Sequence, residues 1–295
     1  MTVQDARFAV AQVGLDPDEV EALIRATVAE DLAGGVDVTT VATIPAEHRS
    51  VLDLVSRADG VVAGVPVARL VFEVVAESGE PIDCQTRVDD GSVVGPGTVV
   101  FSATGSTRDL LTAERTALNL LGHLSGVATA THAWATALGE GPTQVRDTRK
   151  TMPLLRSLEK YAVRCGGGVN HRMSLCDAAL VKDNHVVAAG GVAAAFDAVR
   201  SAFPGIPVEV EVDSLDQLDE VVDAGAQLVL LDNFTVDQMA EAVNRVGGRA
   251  KLEASGGLRL SDAAAVGATG VDYVAVGALT HSAPSLDIGA DLRSV

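Results

Sequence analysis

The chain has 295 residues, 47% hydrophobic, 21% charged and 3% aromatic, and its 40 acidic against 22 basic side chains leave a formal charge of −18. That length suits one large α/β domain or two smaller ones, and the apolar content excludes wholesale disorder. The acidic balance and scarce aromatics argue against nucleic acid, which demands phosphate neutralisation and stacking platforms. No apolar run approaches the ~18 residues of a membrane span, and MTVQDARFAV lacks signal-peptide architecture.

Residues 1–30 read as one or two helices, with Asp16-Pro17 as N-cap and first-turn proline and Val20, Leu23, Ile24 and Val28 on one face. Between Val36 and Gly105 the texture changes to the short runs VLDLVSRA, VVAGV and TVVFSATG, broken by Asp59-Gly60, Asp90-Gly91 and Gly95-Pro96-Gly97. With a helix near residues 67–77 between them, this predicts an α/β sandwich with a small, strongly turned sheet. Residues 107–137 form a long helix carrying Leu110, Leu111, Leu118, Leu121 and Leu124 as its apolar stripe. After Gly141 six short strands, TQVRDT, AALVKD, VEVEVD, LVLLDN, KLEAS and YVAVG, alternate with amphipathic helices. Tandem βα units imply a parallel sheet with helices outside, here an incomplete barrel of fewer than eight strands. Strands of such a sheet are ordinarily apolar throughout, yet these end in Arg149, Lys182, Glu211, Asp232 and Glu253, where the active sites of barrels form.

Charge is also unevenly distributed. From Arg146 to Asp183 eight cations (Arg146, Arg149, Lys150, Arg156, Lys160, Arg164, Arg172 and Lys182) face four acids, a net of +4 in a chain of −18. A positive site on a negative body suits capture of a small polyanion. In DTRKT, Arg149 offers a planar fork and Lys150 a compact cation. CGGGVNHR ends in His171 and Arg172 after glycines that let backbone N–H groups approach an anion. Lys182 ends the next strand as a Schiff-base nucleophile or an anion clamp, and the surrounding cations favour the clamp. Glu209, Glu211 and Asp213 alternate onto one face of the third strand. They either neutralise the cations or, with Asp232, bind hydroxyls and Mg²⁺, whose preference is for hard oxygen ligands. Ser255-Gly256-Gly257 and Gly277-Ala278, with Thr280 and His281 behind, place small residues at the last two strand ends, the usual phosphate site of a barrel. Cys84, Cys165 and Cys176 lack CxxC spacing and read as separate thiols in a reducing cytoplasm.

In order and spacing, DTRKT, CGGGVNHR, LVKDNH, EVEVDS, LLDNF, EASGG and VAVGALTHSA closely resemble the quinolinate phosphoribosyltransferase family, and EDLAGGVDVTT, SRADGVVAG and LLTAERTALNLLGHLSGVAT extend the resemblance over nearly the whole chain. The resemblance implies a type II phosphoribosyltransferase fold: an N-terminal α/β sandwich over 1–125, with residues 283–295 packing back on it, and an open, incomplete α/β barrel over 126–282. It implies transfer of phosphoribosyl from phosphoribosyl pyrophosphate to quinolinate with decarboxylation, Mg²⁺ as cofactor, and a homodimer with shared active sites. By the same resemblance quinolinate is held by Arg149, His171, Arg172 and Lys182, with Arg115 arriving from the partner subunit. Phosphoribosyl pyrophosphate lies against Lys150, Glu211, Asp232, Ser255–Gly257, Gly277–Ala278 and His281, and Glu211 and Asp232 are the metal-side acids. Lys150, Glu211 and Asp232 are the implied catalytic groups, Lys150 as general acid or purely electrostatic. A Schiff-base lyase using Lys182 and a transferase acting on nicotinate are the competing enzymes, and a non-catalytic anion-binding module is the competing binder.

Overall fold

The computed structural model describes residues 3–295. Its first helices are α1 (Val3–Gln12), α2 (Pro17–Leu32) and α3 (Val38–Thr43). Asp16 caps α2 by accepting from Asp18 N at 2.8 Å, with Pro17 pre-set for the first turn, and Asp37 caps α3 through Thr40 N at 3.0 Å. Then come β1 (Arg49–Ser56), β2 (Gly60–Val61), α4 (Val65–Val75), β3 (Asp83–Thr86), β4 (Val93–Val94), β5 (Val99–Ser106) and the long α5 (Thr107–Leu138). The sequence reading did not foresee α3 or β3; β3 is short and only Cys84 within it is buried, so no apolar alternation announced it. The N-terminus of α4 is capped from afar, Asp90 accepting from Gly64 N at 2.9 Å and Val65 N at 3.0 Å. Phe72 of α4 stacks on Phe101 of β5 with ring centroids 5.5 Å apart, and Leu110, Leu121 and Leu124 of α5 are fully buried. Truncating any of these leucines to alanine costs about 2–5 kcal/mol.

The remaining elements are β6 (Gln144–Arg146), α6 (Arg156–Cys165), β7 (Ala179–Val181), α7 (Asp183–Ala189), α8 (Val192–Ala202), β8 (Val208–Val212), α9 (Leu215–Asp223), β9 (Leu228–Asp232), α10 (Val236–Val246), β10 (Lys251–Ser255), α11 (Ala263–Gly267), β11 (Tyr273–Ala275), α12 (Ala278–His281) and β12 (Ile288–Ser294). Strands β6 to β11 form one six-stranded parallel sheet in the order β6-β11-β10-β9-β8-β7. An isolated bridge between Arg146 and Val169 adds to its β6 edge. The six strands are the six read from the sequence. Helix α10 shows why the alternation is firm: Thr235 and Gln238 cap its start reciprocally, Gly247 ends it at φ 55°, and Met239, Ala242 and Val246 share its buried face.

The chain divides into two compact units, residues 1–130, 152–167 and 282–295 in one and 131–151 and 168–281 in the other. Within the first unit β12 returns to pair antiparallel with β1, giving the sheet β12-β1-β5-β3. Helix α6, although it lies beyond residue 125 in the chain, groups with the first unit. There Glu159 accepts from Met152 N at 3.1 Å and meets His123 Nε2 at 2.8 Å, and Tyr161 donates to Asp90. Among the described residues no helix is long and apolar enough to cross a membrane.

Candidate active site

A cavity of about 560 Å³ opens at the carboxyl ends of the parallel strands. Each strand of the second unit delivers part of its wall. Thr148, Arg149 and Lys150 follow β6, Lys182 follows β7, Glu211 lies on β8 and Asp232 ends β9. Ser255, Gly256 and Gly257 close β10, while Gly277, Ala278 and His281 follow β11 and His171 and Arg172 enter from the extended segment beside β6. Every residue that the family resemblance implies for substrate, metal or catalysis is therefore at this cavity except Arg115; of the acids of the third strand, Glu209 and Asp213 are not among its lining. That side chain belongs to α5 in the first unit, 61% exposed and 3.8 Å from Glu114.

The basic island is not one site. Only Arg149, Lys150, Arg172 and Lys182 of its eight cations line the cavity. Arg156, Lys160 and Arg164 sit on α6 in the first unit, because the helix carrying them turns away to that unit. Arg146 lies over the Tyr273 ring at 4.5 Å and binds Glu253 at 2.6 Å. Two strand residues also differ from expectation. Glu253 is buried in the middle of β10 rather than at its end, and Asp213 falls just past β8 and is exposed, away from the cavity wall. Glu209 and Glu211 keep the period-two relation, Glu209 buried and Glu211 at the cavity.

Arg149 Nε is buried with no hydrogen-bond partner. Burial, and next the neighbouring Arg149 guanidinium, hold the Arg172 pKa below its ordinary value, so two like charges stand together in a partly desolvated wall. Arg172 Nη1 donates to Ala178 O at 2.8 Å, which fixes the fork. Lys182 Nζ is held by Glu211 Oε2 at 2.7 Å. An ammonium so paired is suited to clamping an anion rather than attacking a carbonyl.

On the far side of the cavity the backbone comes close. Asn233, itself at φ 58°, donates from Nδ2 to Asp232 Oδ2 at 2.7 Å and from its backbone N to Ser255 O at 3.0 Å. Gly256 lies against it at φ +96°, where a Cβ would come within 2.3 Å of Asn233 Oδ1. At Gly277 a Cβ would meet Lys150 Cδ at 2.9 Å and His281 Nε2 at 3.3 Å, while Thr280 Oγ1 donates to Lys150 O at 2.8 Å. Backbone bare of side chains, next to a lysine, is a cradle for phosphate. Glu211 and Asp232 beside it are hard carboxylate donors of the kind Mg²⁺ accepts.

Sequence reasoning counted Glu253 among the strand-end charges and Arg146 in the basic island without giving either a role, and it passed over Asn233 as the partner of Asp232. The signal available for the first two was a charge inside each of two barrel strands, and for Asn233 only its place after a strand-ending acid. Burial first, then the negative charge of Glu209, push the Glu253 carboxyl up to about 7.

The fold aligns with NadC from Streptococcus pyogenes at 38% identity and a TM-score of 0.91, covering 95% of this chain and 99% of that one. It aligns also with the nicotinate-nucleotide pyrophosphorylase from Francisella tularensis at 36% identity and a TM-score of 0.89, covering 94% and 96%. A six-stranded parallel sheet with a cavity at its strand ends in one unit and an antiparallel sheet in the other, aligned over nearly the whole chain with these structures, make this a type II phosphoribosyltransferase fold. Residues 37–125 match the quinolinate phosphoribosyl transferase N-terminal domain and residues 127–291 the C-terminal domain of the same enzyme. A nicotinate-nucleotide pyrophosphorylase [carboxylating] of Mycobacterium leprae is 52% identical over 279 residues, 93% of this chain and 98% of that protein. The chain belongs to the quinolinate phosphoribosyltransferase family.

Proposed function

We propose that the protein transfers the phosphoribosyl group of phosphoribosyl pyrophosphate to quinolinate, releasing pyrophosphate and CO₂ and forming nicotinate mononucleotide for de novo NAD biosynthesis. The observation that carries this reading is the pair of adjacent guanidiniums, Arg149 with its buried, unpartnered Nε and Arg172, in a cavity that also holds Lys150, Lys182, Glu211 and Asp232. Quinolinate is a dianion, so its carboxylates complement Arg149, Arg172 and Lys182, with His171 beside them and Arg115 supplied by a second copy of the chain. Phosphoribosyl pyrophosphate lies along Lys150, the Ser255–Gly257 and Gly277–Ala278 turns and His281.

Transfer develops positive charge at the anomeric carbon, where Glu211 and Asp232 are placed to stabilise it and to hold the ribose hydroxyls. The same two carboxylates would hold Mg²⁺, which when bound would supply positive charge against the pyrophosphate. Lys150 faces the leaving group as an electrostatic partner or proton donor. The quaternised ring nitrogen then stabilises the carbanion left at carbon 2 as the carboxylate departs as CO₂, and the carbanion takes up a proton from water, so no further cofactor is required. A homodimer in the cytoplasm is the working form in this reading.

The test is turnover with phosphoribosyl pyrophosphate, Mg²⁺ and either quinolinate or nicotinate, following mononucleotide and CO₂. Removing one carboxylate leaves a buried cation unpaired, at about 3–5 kcal/mol. Quinolinate is therefore expected to exceed nicotinate in kcat/KM by at least about a hundredfold. Comparable values for the two acids refute the assignment.

A further inference from the structure

Beneath the cavity wall lies a layer of charge for which the transfer described above has no use. Glu253 is fully buried, its Oε2 accepting from Arg146 Nη1 at 2.6 Å and its Oε1 lying 3.6 Å from His171 Nε2. Glu209, also buried, places Oε2 2.8 Å from the same Nε2. On the other side of the ring, His171 Nδ1 accepts the backbone N–H of Arg172 at 2.7 Å. The backbone N–H of His171 donates to Asp147 Oδ1 at 2.8 Å, and Asn170 Nδ2 donates to Asp147 Oδ2 at 2.5 Å. A ring nitrogen that accepts a hydrogen bond carries no proton, so the ring proton is on Nε2, aimed at two carboxylates.

We propose that His171 is a positioning residue for the quinolinate clamp rather than one of its cations: Glu209 and Glu253, the latter braced by Arg146, hold it as the Nε2–H tautomer, and its Nδ1 fixes the backbone from which Arg172 reaches the substrate. The inference rests on reading Arg172 as a quinolinate ligand. A cationic His171 needs a second proton, on Nδ1, which would then face the Arg172 N–H across 2.7 Å, donor against donor. The same collision excludes a metal here. His171, Glu209 and Glu253 have ligand atoms within 4.8 Å of one another, but a metal on Nε2 requires the proton to move to Nδ1. Around Glu253 the charged groups are Arg146, His171 and Glu209, and its register neighbours on β9 and β11 are Leu230 and Tyr273, so nothing else charged on those strands competes for it.

Two measurements test this. Nitrogen-15 spectra of histidine-labelled wild-type protein at pH 7, with His171 assigned through His171→Gln, are expected to show one protonated and one unprotonated ring nitrogen, with the proton on Nε2, before and after addition of Zn²⁺. An imidazolium pattern overturns the proposal, as does a Zn²⁺-induced switch to the Nδ1–H tautomer. In steady-state kinetics Glu253→Gln keeps its bond to Arg146 only by turning its NH₂ toward the His171 Nε2–H. KM for quinolinate is expected to rise about tenfold, the scale of one adverse polar contact placed against the ring, since Glu253 Oε1 makes no hydrogen bond of its own, with KM for phosphoribosyl pyrophosphate changed less than about twofold. An unchanged or lowered quinolinate KM refutes the proposal; a cationic His171 would also weaken on losing a neighbouring negative charge, and the spectra separate that reading. The spectra do not depend on turnover, so failure of the substrate assignment and failure of this inference are separable.

Discussion

Gly256→Ala tests the phosphate side of the cavity, and its cost follows from two observations. The residue sits at φ +96°, a conformation that costs a non-glycine residue roughly 1–3 kcal/mol. The added methyl would also stand 2.3 Å from Asn233 Oδ1 and 2.8 Å from Asn233 N. The backbone atom cannot retreat, since it donates to Ser255 O at 3.0 Å, so the Asn233 side chain must. Swinging away breaks its 2.7 Å bond to Asp232 Oδ2, a hydrogen bond to a charged group worth about 1.5–3 kcal/mol. The expected loss of stability is roughly 2.5–6 kcal/mol, read by guanidinium unfolding. With Asp232 released, calorimetric titration is expected to show phosphoribosyl pyrophosphate affinity falling about tenfold while quinolinate affinity stays within about twofold. Gly277→Ala is the control. Its methyl would meet only the flexible Lys150 side chain at 2.9 Å and the His281 ring at 3.3 Å, so it should cost under about 1 kcal/mol in stability. A Gly256→Ala protein with wild-type stability and unaltered phosphoribosyl pyrophosphate binding refutes this account of the Asn233–Asp232 contact.

Two further outcomes are expected. Arg115→Ala and Lys182→Ala should each be nearly inactive, yet on mixing with verified subunit exchange they should recover up to about a quarter of wild-type activity, because half the dimers then hold one intact site; no recovery places Arg115 within its own subunit's chemistry or in a structural role. The pH dependence of stability should carry the signature of Glu253. Its carboxyl lies at about 7 in the fold against an ordinary value of 4.5, so the native state binds the extra proton. The stabilisation is complete below about pH 4.5 and is lost as pH rises through about 7, a change on the order of 3 kcal/mol that Glu253→Gln should abolish. Parallel unfolding profiles of the two proteins between pH 5 and 8 would contradict it.

Much of the barrel could be read from the chain because buried parallel strands are short apolar runs whose charged residues gather at the strand ends. The order Lys182, Glu211, Asp232, Ser255 follows the sheet strand by strand from β7 to β10, and Arg149 comes from β6 at the opposite edge. The destination of α6 could not be read, since the helix is basic and amphipathic like its neighbours. Only the tertiary partners of Glu159 and Tyr161 show which unit it joins. Glu253 and Arg146 were obscured for a related reason. A charge in a strand reads as the strand's end, and only the three-dimensional pairing shows that it can lie inside, neutralised by another. Asn233 has no local signature at all; its role depends on the glycine of the next strand's turn.

The pairing of β12 with β1, from Ser50 opposite Ser294 to Ser56 opposite Ile288, has a consequence for synthesis. On the ribosome β1 emerges early and can pair with β5 as soon as that strand follows, but its other edge waits until the whole of the second unit has been made. Throughout that interval the first unit offers an unprotected row of strand N–H and C=O groups, the kind of template on which chains aggregate. The barrel must therefore fold while its neighbour is unfinished, and contacts this distant in sequence form slowly. Expression of this protein should be limited by the lifetime of that open edge more than by the stability of the finished fold.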